Sequence, residues 1–372
     1  MDTQPADHLA LNALLVTSPP KVSLADAQRI AETCFPGFQH CTPLTGERDV
    51  NFRLTHQDGR SLTLKFINQA EGAEETAMQI AVLKHLDTMR VIHAPRHQTF
   101  DASSWKNALF LSAEGGQADL CDVVHYQTLE HAESVRVRAY TYLEGCPGTQ
   151  LQNTPATWYA LGQTIAILDT HLSSFDHPAA HRPLLWDTCQ VLGIRPMLSA
   201  VKDPDEQHVV AEFLQLFEHI TLPVLPTLPH QIIHNDLSPS NVLTDAQGVT
   251  PTGILDFGDM VYSPRIGELA VAASYQMGLS TYPEDVLSTL LQGFEAYSPL
   301  SHTEREHVID LVLARLVQRI VITSWRASRF PANRTYILRS HDAAKALFMP
   351  LYTQWRSSKA KQLPSLTSCM PR

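Results

Sequence analysis

One short polar stretch contains residue types that could carry out chemistry. Residues 231–243 read QIIHNDLSPSNVL, so His234, Asp236 and Asn241 form a His-x-Asp-x-x-x-x-Asn array between two apolar flanks. Pro239 excludes a regular helix there, because it has no amide hydrogen and its ring obstructs the preceding turn. The stretch therefore predicts a loop that presents a carboxylate and a carboxamide.

A second acidic motif follows this loop. The run GILDFGDM begins at Gly253 and places Asp256 at the end of an apolar segment, two residues before Gly258, which permits a sharp turn. Phosphoryl transfer from ATP needs hard oxygen ligands for Mg²⁺ and a carboxylate that receives or orients the proton of the acceptor hydroxyl. Asn241 and Asp256 can supply the metal ligands, and Asp236 can lie on the other side of the reacting phosphate. This assortment predicts phosphoryl transfer.

The nucleotide phosphates also need a cation, and Lys65 is the best-placed candidate. It lies on the strand predicted at 61–67, which follows a predicted strand at 50–54. The step from Asp58 to Gly59 between them is a strong hairpin signal, because glycine adopts positive φ at little cost. Lys65 would therefore project from a β-hairpin.

The remaining patterns divide the chain into a β-rich and a helical part. The predicted elements around the hairpin are helices at 24–34 and 74–86 and strands at 109–111 and 135–140. The Gly/Pro cluster at 145–148 is typical of a hinge. Beyond it, apolar residues recur at helical spacing, as in Leu161, Ile165, Leu168 and Leu172, and in Leu313, Leu316, Val317 and Ile320.

These motifs resemble a known family, the small-molecule kinases of the aminoglycoside phosphotransferase and choline kinase type, which are distant relatives of protein kinases. The resemblance covers roughly residues 24–350. The run from Gly253 to Met260, the GELA motif at Gly267 and the GFE motif at Gly293 are most similar to the hydroxylysine kinase branch.

The resemblance implies an α+β, protein-kinase-like fold with two lobes. The antiparallel, β-rich N-lobe would bind the nucleotide, and the mainly α-helical C-lobe would carry the catalytic loop and the acceptor. The implied divisions are a flexible N-terminal segment at 1–23, the N-lobe at 24–144, the C-lobe at 145–355 and a frayed tail at 356–372.

The resemblance also assigns roles to individual positions. Asp236 would be the catalytic base, Asn241 and Asp256 would hold Mg²⁺, Lys65 would bind the phosphates of ATP or GTP, and His234 would brace the loop. The hinge residues Tyr142, Leu143 and Glu144 would offer backbone groups to the base, and the glycine-poor segment 45–52 would cover the phosphates.

Two positions depart from the family pattern. Asn235 stands where many relatives have glycine, although asparagine tolerates unusual φ values better than most residues. The acidic partner expected for Lys65 is also not evident: counting back from the end of the helix puts Gln79 at that position, with Glu75 one turn earlier on the same face. The sequence leaves open which of the two orients Lys65.

Composition excludes several other classes of protein. The chain has 372 residues, 44% of them hydrophobic, and a formal charge of −10, which disfavours nucleic acid as a partner. Its six cysteines are irregularly spaced and predict reduced thiols. No signal peptide or membrane-spanning segment is recognisable, so we expect a cytoplasmic protein without a membrane partner. The oligomeric state is not predicted.

The leading hypothesis is a kinase of a small, hydroxylated, amine-bearing metabolite, with 5-hydroxylysine as the acceptor on the basis of the branch resemblance. The alternatives are aminoglycosides, choline, ethanolamine and homoserine, which also offer a hydroxyl as the acceptor. A catalytically silent kinase-like binding protein is a further alternative. It is disfavoured because Asp236, Asn241 and Asp256 are all present.

Overall fold

The computed structural model describes residues 15–46, 48–89, 93–101, 110–116 and 120–362. The described chain forms two compact units. Unit 1 contains the described residues up to Gly145 together with Thr252–Gly258, and unit 2 contains Cys146–Pro251 and the described residues from Asp259 onward. The sequence prediction placed one boundary, after Glu144. It did not anticipate that a segment from far along the chain, which includes Asp256, folds with the first unit.

Unit 1 is built around an antiparallel sheet. Its helices are α1 (Leu24–Cys34) and α2 (Ala73–Thr88), and its strands are β1 (Phe38–Leu44), β2 (Val50–His56), β3 (Ser61–Phe66), β4 (His97–Gln98), β5 (Phe100–Asp101), β6 (Phe110–Glu114), β7 (Leu120–Cys121), β8 (Val123–Gln127) and β9 (Ser134–Thr141). The main sheet has the order β1-β2-β3-β9-β8-β6, and β4 also pairs with β9. A separate small sheet pairs β5 with β7.

The predicted hairpin is confirmed. β2 and β3 pair antiparallel, with Thr55 opposite Ser61, and Gly59 in the turn has a φ of 91°. One side of this hairpin packs on α1, where Ile30, Leu54 and Leu64 are buried in one apolar cluster. The helix and strand predictions for this unit are also confirmed within the described residues; Leu109 lies outside them.

Unit 2 is mainly helical, as predicted. Its helices are α3 (Pro155–Leu172), α4 (Pro204–Ile220), α5 (Ile266–Gln276), α6 (Pro283–Glu295), α7 (His302–Arg329), α8 (Arg334–Ile337) and α9 (His341–Gln362), and its strands are β10 (Cys146–Pro147), β11 (His230–Ile233), β12 (Val242–Thr244) and β14 (Val261–Pro264). Strand β13 (Pro251–Ile254) carries the chain from unit 2 into unit 1.

The longest helix, α7, forms the centre of unit 2. The predicted apolar face is confirmed, because Leu313, Leu316, Val317 and Ile320 are fully buried. Two glycines allow α3 and α6 to pack closely: a Cβ at Gly162 would lie 2.2 Å from the carbonyl oxygen of Leu290, and one at Gly293 would lie 2.1 Å from that of Tyr159. None of the helices in the described ranges is long and apolar enough to cross a membrane.

The prediction of a frayed tail from Arg356 is wrong for its first part. Helix α9 continues to Gln362, and positions 363–372 lie outside the described residues. The helix is held by Asp310 of α7, whose carboxylate accepts hydrogen bonds from Trp355 Nε1 at 2.5 Å and from Lys359 Nζ at 3.0 Å. This carboxylate is fully buried and needs hydrogen-bond donors, which Trp355 and Lys359 of α9 provide.

Candidate active site

The loop predicted to be catalytic follows strand β11. This strand pairs antiparallel with β14, with Ile233 opposite Val261, and the chain then leaves the sheet at His234. As Pro239 predicted, the segment from His234 to Asn241 contains no helix. Short strands on both sides therefore hold the ends of an irregular loop.

Asp236 and Asn241 lie side by side in this loop. Asn241 Nδ2 donates hydrogen bonds to the backbone oxygen of Asp236 at 2.9 Å and to its Oδ2 at 2.7 Å. Because these bonds use the amide nitrogen, the carboxamide oxygen is the atom that could serve as a metal ligand. The side chain of Asp236 is 24% exposed, and so the carboxylate retains access to solvent.

A buried arginine from α7 holds the other oxygen of Asp236. Arg315 Nη2 donates to Asp236 Oδ1 at 3.1 Å, and Nη1 donates to the backbone oxygen of Trp186 at 2.6 Å. The guanidinium also lies over the Trp186 ring, 4.8 Å from its centroid. Arg315 is only 2% exposed, so its orientation is fixed by packing as well as by these bonds. Each oxygen of Asp236 therefore has a defined hydrogen-bond donor.

The backbone before Asp236 is fixed by a buried glutamate. The amides of His234 and Asn235 both donate to the carboxylate of Glu268 on α5. Burial raises the pKa of Glu268, against the lowering effect of His234 and of these amide bonds. His234 Nδ1 in turn accepts a hydrogen bond from the amide of Asp236 at 3.2 Å, which agrees with the predicted bracing role.

Asn235 has the unusual backbone that its residue type suggested. Its φ is 64°, in the left-handed region, where asparagine is tolerated better than most residues. Its Nδ2 donates to the backbone oxygen of Asp259 at 3.2 Å. The residue therefore combines a turn conformation with a tether to the segment before β14.

The predicted phosphate-binding lysine lies with Asp256 in unit 1. Lys65 Nζ is 2.6 Å from Asp49 Oδ2 and 3.8 Å from Asp256 Oδ1, and its side chain is 5% exposed. Burial alone would lower the pKa of Lys65, but the two carboxylates reverse this effect and raise it. The three residues line one pocket, together with Arg48, Asn68, Glu71, Glu75 and Gly258.

Neither residue proposed as the helical partner of Lys65 forms an ion pair with it. Gln79 is buried, and its Oε1 accepts a hydrogen bond from Arg138. Arg138 is the cross-strand neighbour of Lys65 in the sheet, so Gln79 contacts the second cation at this position. Glu75 lines the pocket and caps α2 through the amide of Gly72 at 2.9 Å. The carboxylate nearest to Lys65 comes instead from Asp49, just before β2.

The predicted adenine-binding residues lie at the end of β9. The amide of Tyr142 donates to the backbone oxygen of Ser61 at 3.0 Å, so it already has a partner within unit 1. Arg53 lies 4.1 Å from the centroid of the Tyr142 ring and pairs with Glu144. Of the three predicted residues, Leu143 and Glu144 are therefore the better candidates to offer backbone amides to a base.

Sequence reasoning assigned no role to Asp49, which pairs with Lys65 in unit 1, or to Arg315 and Glu268, which hold the loop of Asp236 in unit 2. Asp49 lies within the segment 45–52 that was proposed to cover the phosphates. Its place in that segment and its acidic side chain could have marked it as a partner for Lys65. Glu268 belonged to the GELA motif, but no role was assigned to it. Arg315 gave no sequence signal, because it stands between apolar residues of α7, 79 residues after Asp236.

Comparison with known proteins finds similar sequences and structures. The model of the phosphotransferase enzyme family (APH) matches residues 40–306. Hydroxylysine kinase of Mus musculus is 27% identical over 334 residues, which cover 86% of each chain, and hydroxylysine kinase of Bos taurus is 26% identical over 333 residues with the same coverage.

Solved structures show the same fold at low sequence identity. A microcompartment-associated aminopropanol kinase superposes with a TM-score of 0.66 at 16% identity, covering 90% of this chain and 98% of that one. The GDP complex of an aminoglycoside 2′-phosphotransferase-IIIa mutant superposes with a TM-score of 0.57 at 18% identity, covering 87% and 98%. The predicted kinase-like fold is thereby confirmed.

Proposed function

We propose that this chain, which belongs to the phosphotransferase enzyme family and is a small-molecule kinase acting on a hydroxyl group, uses 5-hydroxylysine as its acceptor. Its proposed donor is ATP or GTP. The observation that carries the proposal is the catalytic loop, where Asp236 is held by Asn241 and Arg315. The curated relatives named above support the choice of acceptor.

In the proposed reaction Asp236 orients the acceptor hydroxyl and receives its proton. The acceptor oxygen forms a bond to the γ-phosphorus, and the bond from that phosphorus to the β–γ bridging oxygen breaks, which releases ADP or GDP. The hydrogen bonds from Asn241 and Arg315 prevent rotation of the carboxylate, so the base approaches the hydroxyl in one orientation. Lys65 would contribute its ammonium to the phosphates.

The proposed metal ligands are the carboxamide oxygen of Asn241 and the carboxylate of Asp256. These are hard oxygen donors of the kind that Mg²⁺ prefers, and Mg²⁺ commonly takes only one or two protein carboxylates besides phosphate oxygens. Within the described ranges no group of three His, Cys, Asp or Glu side chains could hold a metal ion. When bound, Mg²⁺ would neutralise charge on the phosphates.

The decisive experiment is a substrate panel assayed by coupled release of ADP or GDP. The panel contains 5-hydroxylysine, homoserine, ethanolamine, choline and an aminoglycoside, each tested with both nucleotides. We expect turnover with 5-hydroxylysine to exceed that with every other acceptor. A faster rate with another member of the panel would replace the proposed acceptor.

A variant of the base tests the proposed mechanism. Asp236→Asn should bind nucleotide as the wild type does but lose about 10²–10⁴ in turnover, because the general base is removed. Asp176→Asn is the matched control, since it makes the same change at a side chain that is 84% exposed. Wild-type turnover in Asp236→Asn would exclude this carboxylate as the base.

A further inference from the structure

An arginine cluster extends from Asp236 along α7. Arg315 and Arg319 are four residues apart and lie one above the other on the same helix face, about 6 Å apart along the axis. Both are only 2% exposed. Arg319 Nη2 also donates to the backbone oxygen of Ser340 at 2.9 Å, and the neighbouring residue along the chain is the exposed Arg339. We call Arg315, Arg319 and Arg339 the arginine cluster.

The middle member of this cluster has no carboxylate partner among the described residues. Arg319 bonds only to backbone oxygens, those of Ser274 at 2.7 Å and Ser340, and stacks on the Tyr275 ring at 3.9 Å. Its Nε is buried and has no hydrogen-bond partner in the described part of the chain. The carboxylate of Asp236 raises the pKa of Arg319, but it already accepts a hydrogen bond from Arg315, so the two buried arginines share one counter-ion.

Such an arrangement costs folding free energy. A buried ion that shares its counter-ion is incompletely compensated for its lost hydration, and like charges one helical turn apart repel each other. Burial, together with Arg315 and Arg339, lowers the pKa of Arg319 to about 10 against the raising effects of Tyr275 and Asp236, so the side chain is still charged at neutral pH. A positive potential therefore persists beside the catalytic loop, and an anionic ligand would relieve it.

We propose that the arginine cluster selects an acceptor that carries a carboxylate, so that the enzyme prefers hydroxylated amino acids to simple amines and aminoglycosides. The exposed Arg339 makes the contact with the carboxylate, and Arg319 behind it strengthens the field. This inference rests on the proposed kinase function, because it requires the acceptor hydroxyl to lie at Asp236.

The spacing of the cluster fits an acceptor of this kind. Arg315 is hydrogen-bonded to Asp236, and Arg319 lies one helical turn further along α7. In 5-hydroxylysine the hydroxyl-bearing carbon and the carboxylate carbon are separated by four carbon–carbon bonds, which span about 5 Å when extended. An acceptor with its hydroxyl at Asp236 can therefore place its carboxylate one helical turn away, in the positive field of the cluster.

Binding of two non-reacting ligands tests the inference without turnover. L-Lysine keeps the carboxylate and lacks the hydroxyl, and cadaverine is the same molecule without the carboxylate. By titration calorimetry on the full chain we expect lysine to bind at least about tenfold more tightly than cadaverine, because the cluster attracts the carboxylate and repels the second ammonium. Equal binding, tighter binding of cadaverine or binding of neither ligand would overturn the proposal.

An arginine variant locates the effect. Arg339→Gln should reduce lysine affinity about tenfold and leave or improve the affinity for cadaverine, because one cation facing the carboxylate is lost. Arg329→Gln is the matched control on α7, since Arg329 is exposed and stacks on Trp325, 4.3 Å from the ring centroid. It should leave both affinities unchanged. An equal loss of lysine affinity in the two variants would contradict recognition by the cluster.

A kinetic comparison separates this inference from the proposed function. The substrates are 5-hydroxylysine and its decarboxylated analogue 1,5-diaminopentan-2-ol. Preference for the amino acid in kcat/KM supports both proposals. Equal phosphorylation of the two compounds would refute selection of the carboxylate and leave the kinase function intact. Phosphorylation of neither would refute the proposed acceptor.

Discussion

Arg315 donates a hydrogen bond to Asp236 across 79 residues of sequence, with 3.1 Å between Nη2 and Oδ1. The loop from Leu237 to Ser240 contains no basic residue, so α7 supplies the cation beside the proposed base. The same guanidinium is anchored to the backbone of Trp186. The orientation of Asp236 is therefore determined by a helix that packs beneath the loop as well as by the loop itself.

We predict that Arg315→Met lowers kcat about 10–100-fold and leaves the KM for nucleotide within about twofold, because a misoriented base affects the chemical step. Arg315→Lys should recover part of the loss, since it restores the charge without the second hydrogen bond. Steady-state kinetics with both substrates varied gives the two parameters. A loss confined to the nucleotide KM would contradict a role in positioning Asp236.

A second prediction concerns Glu268. Glu268→Ala removes the acceptor for two buried amides, and each unsatisfied donor costs about 1–3 kcal/mol. We expect the free energy of unfolding to fall by about 2–4 kcal/mol and turnover to fall with it. Glu268→Gln keeps one acceptor oxygen and should lose less of both. Denaturant unfolding of the two variants measures the difference, and equal losses would show that the amide bonds are not the cause.

The third prediction concerns Asp49, the carboxylate nearest to Lys65. Asp49→Asn removes this partner, and among the described residues Asp256, at 3.8 Å, is then the carboxylate within ion-pair distance of the buried ammonium. Loss of one partner of a buried pair costs about 3–5 kcal/mol, and the remaining carboxylate should reduce this to about 1–3 kcal/mol. Chemical denaturation with and without nucleotide checks the change. We expect added nucleotide to restore stability, because its phosphates replace the missing negative charge; no such recovery would argue against phosphate binding at Lys65.

The fourth prediction is a pH dependence of stability at Glu304. This residue is 1% exposed and accepts a hydrogen bond from Arg265 Nε at 2.6 Å. Burial alone would raise its pKa, but the bonds from Arg265 and from the Ser301 amide lower it below the ordinary value of 4.5.

Because the folded-state pKa is depressed, the ion pair contributes stability that is fully present above pH 4.5 and is lost as the pH falls through the folded-state value. The Tm difference between the wild type and Glu304→Gln should therefore be constant at neutral pH and shrink as the pH falls below 4.5. Thermal melts from pH 7 to pH 3 measure it. A difference that does not change with pH would contradict the ionic contribution.

The sequence by itself determined the local structure around the catalytic motifs. Asp58-Gly59 specified a hairpin because only a turn with positive φ joins two strands so closely, and Pro239 excluded a helix because it cannot donate the required bond. Asn235 at a φ of 64° follows from the same local chemistry. Backbone preferences depend on neighbouring residues, and those are visible in the chain.

Only the tertiary structure decided the partners of the charged side chains. The sequence looked for the partner of Lys65 on α2, where helical spacing offered Gln79 and Glu75, but the shortest ion pair comes from Asp49 on the other side of the hairpin. Likewise, nothing near Asp236 indicated Arg315. Charge pairs form between groups that packing brings within a few ångströms, and residue type and spacing in the chain do not record that distance.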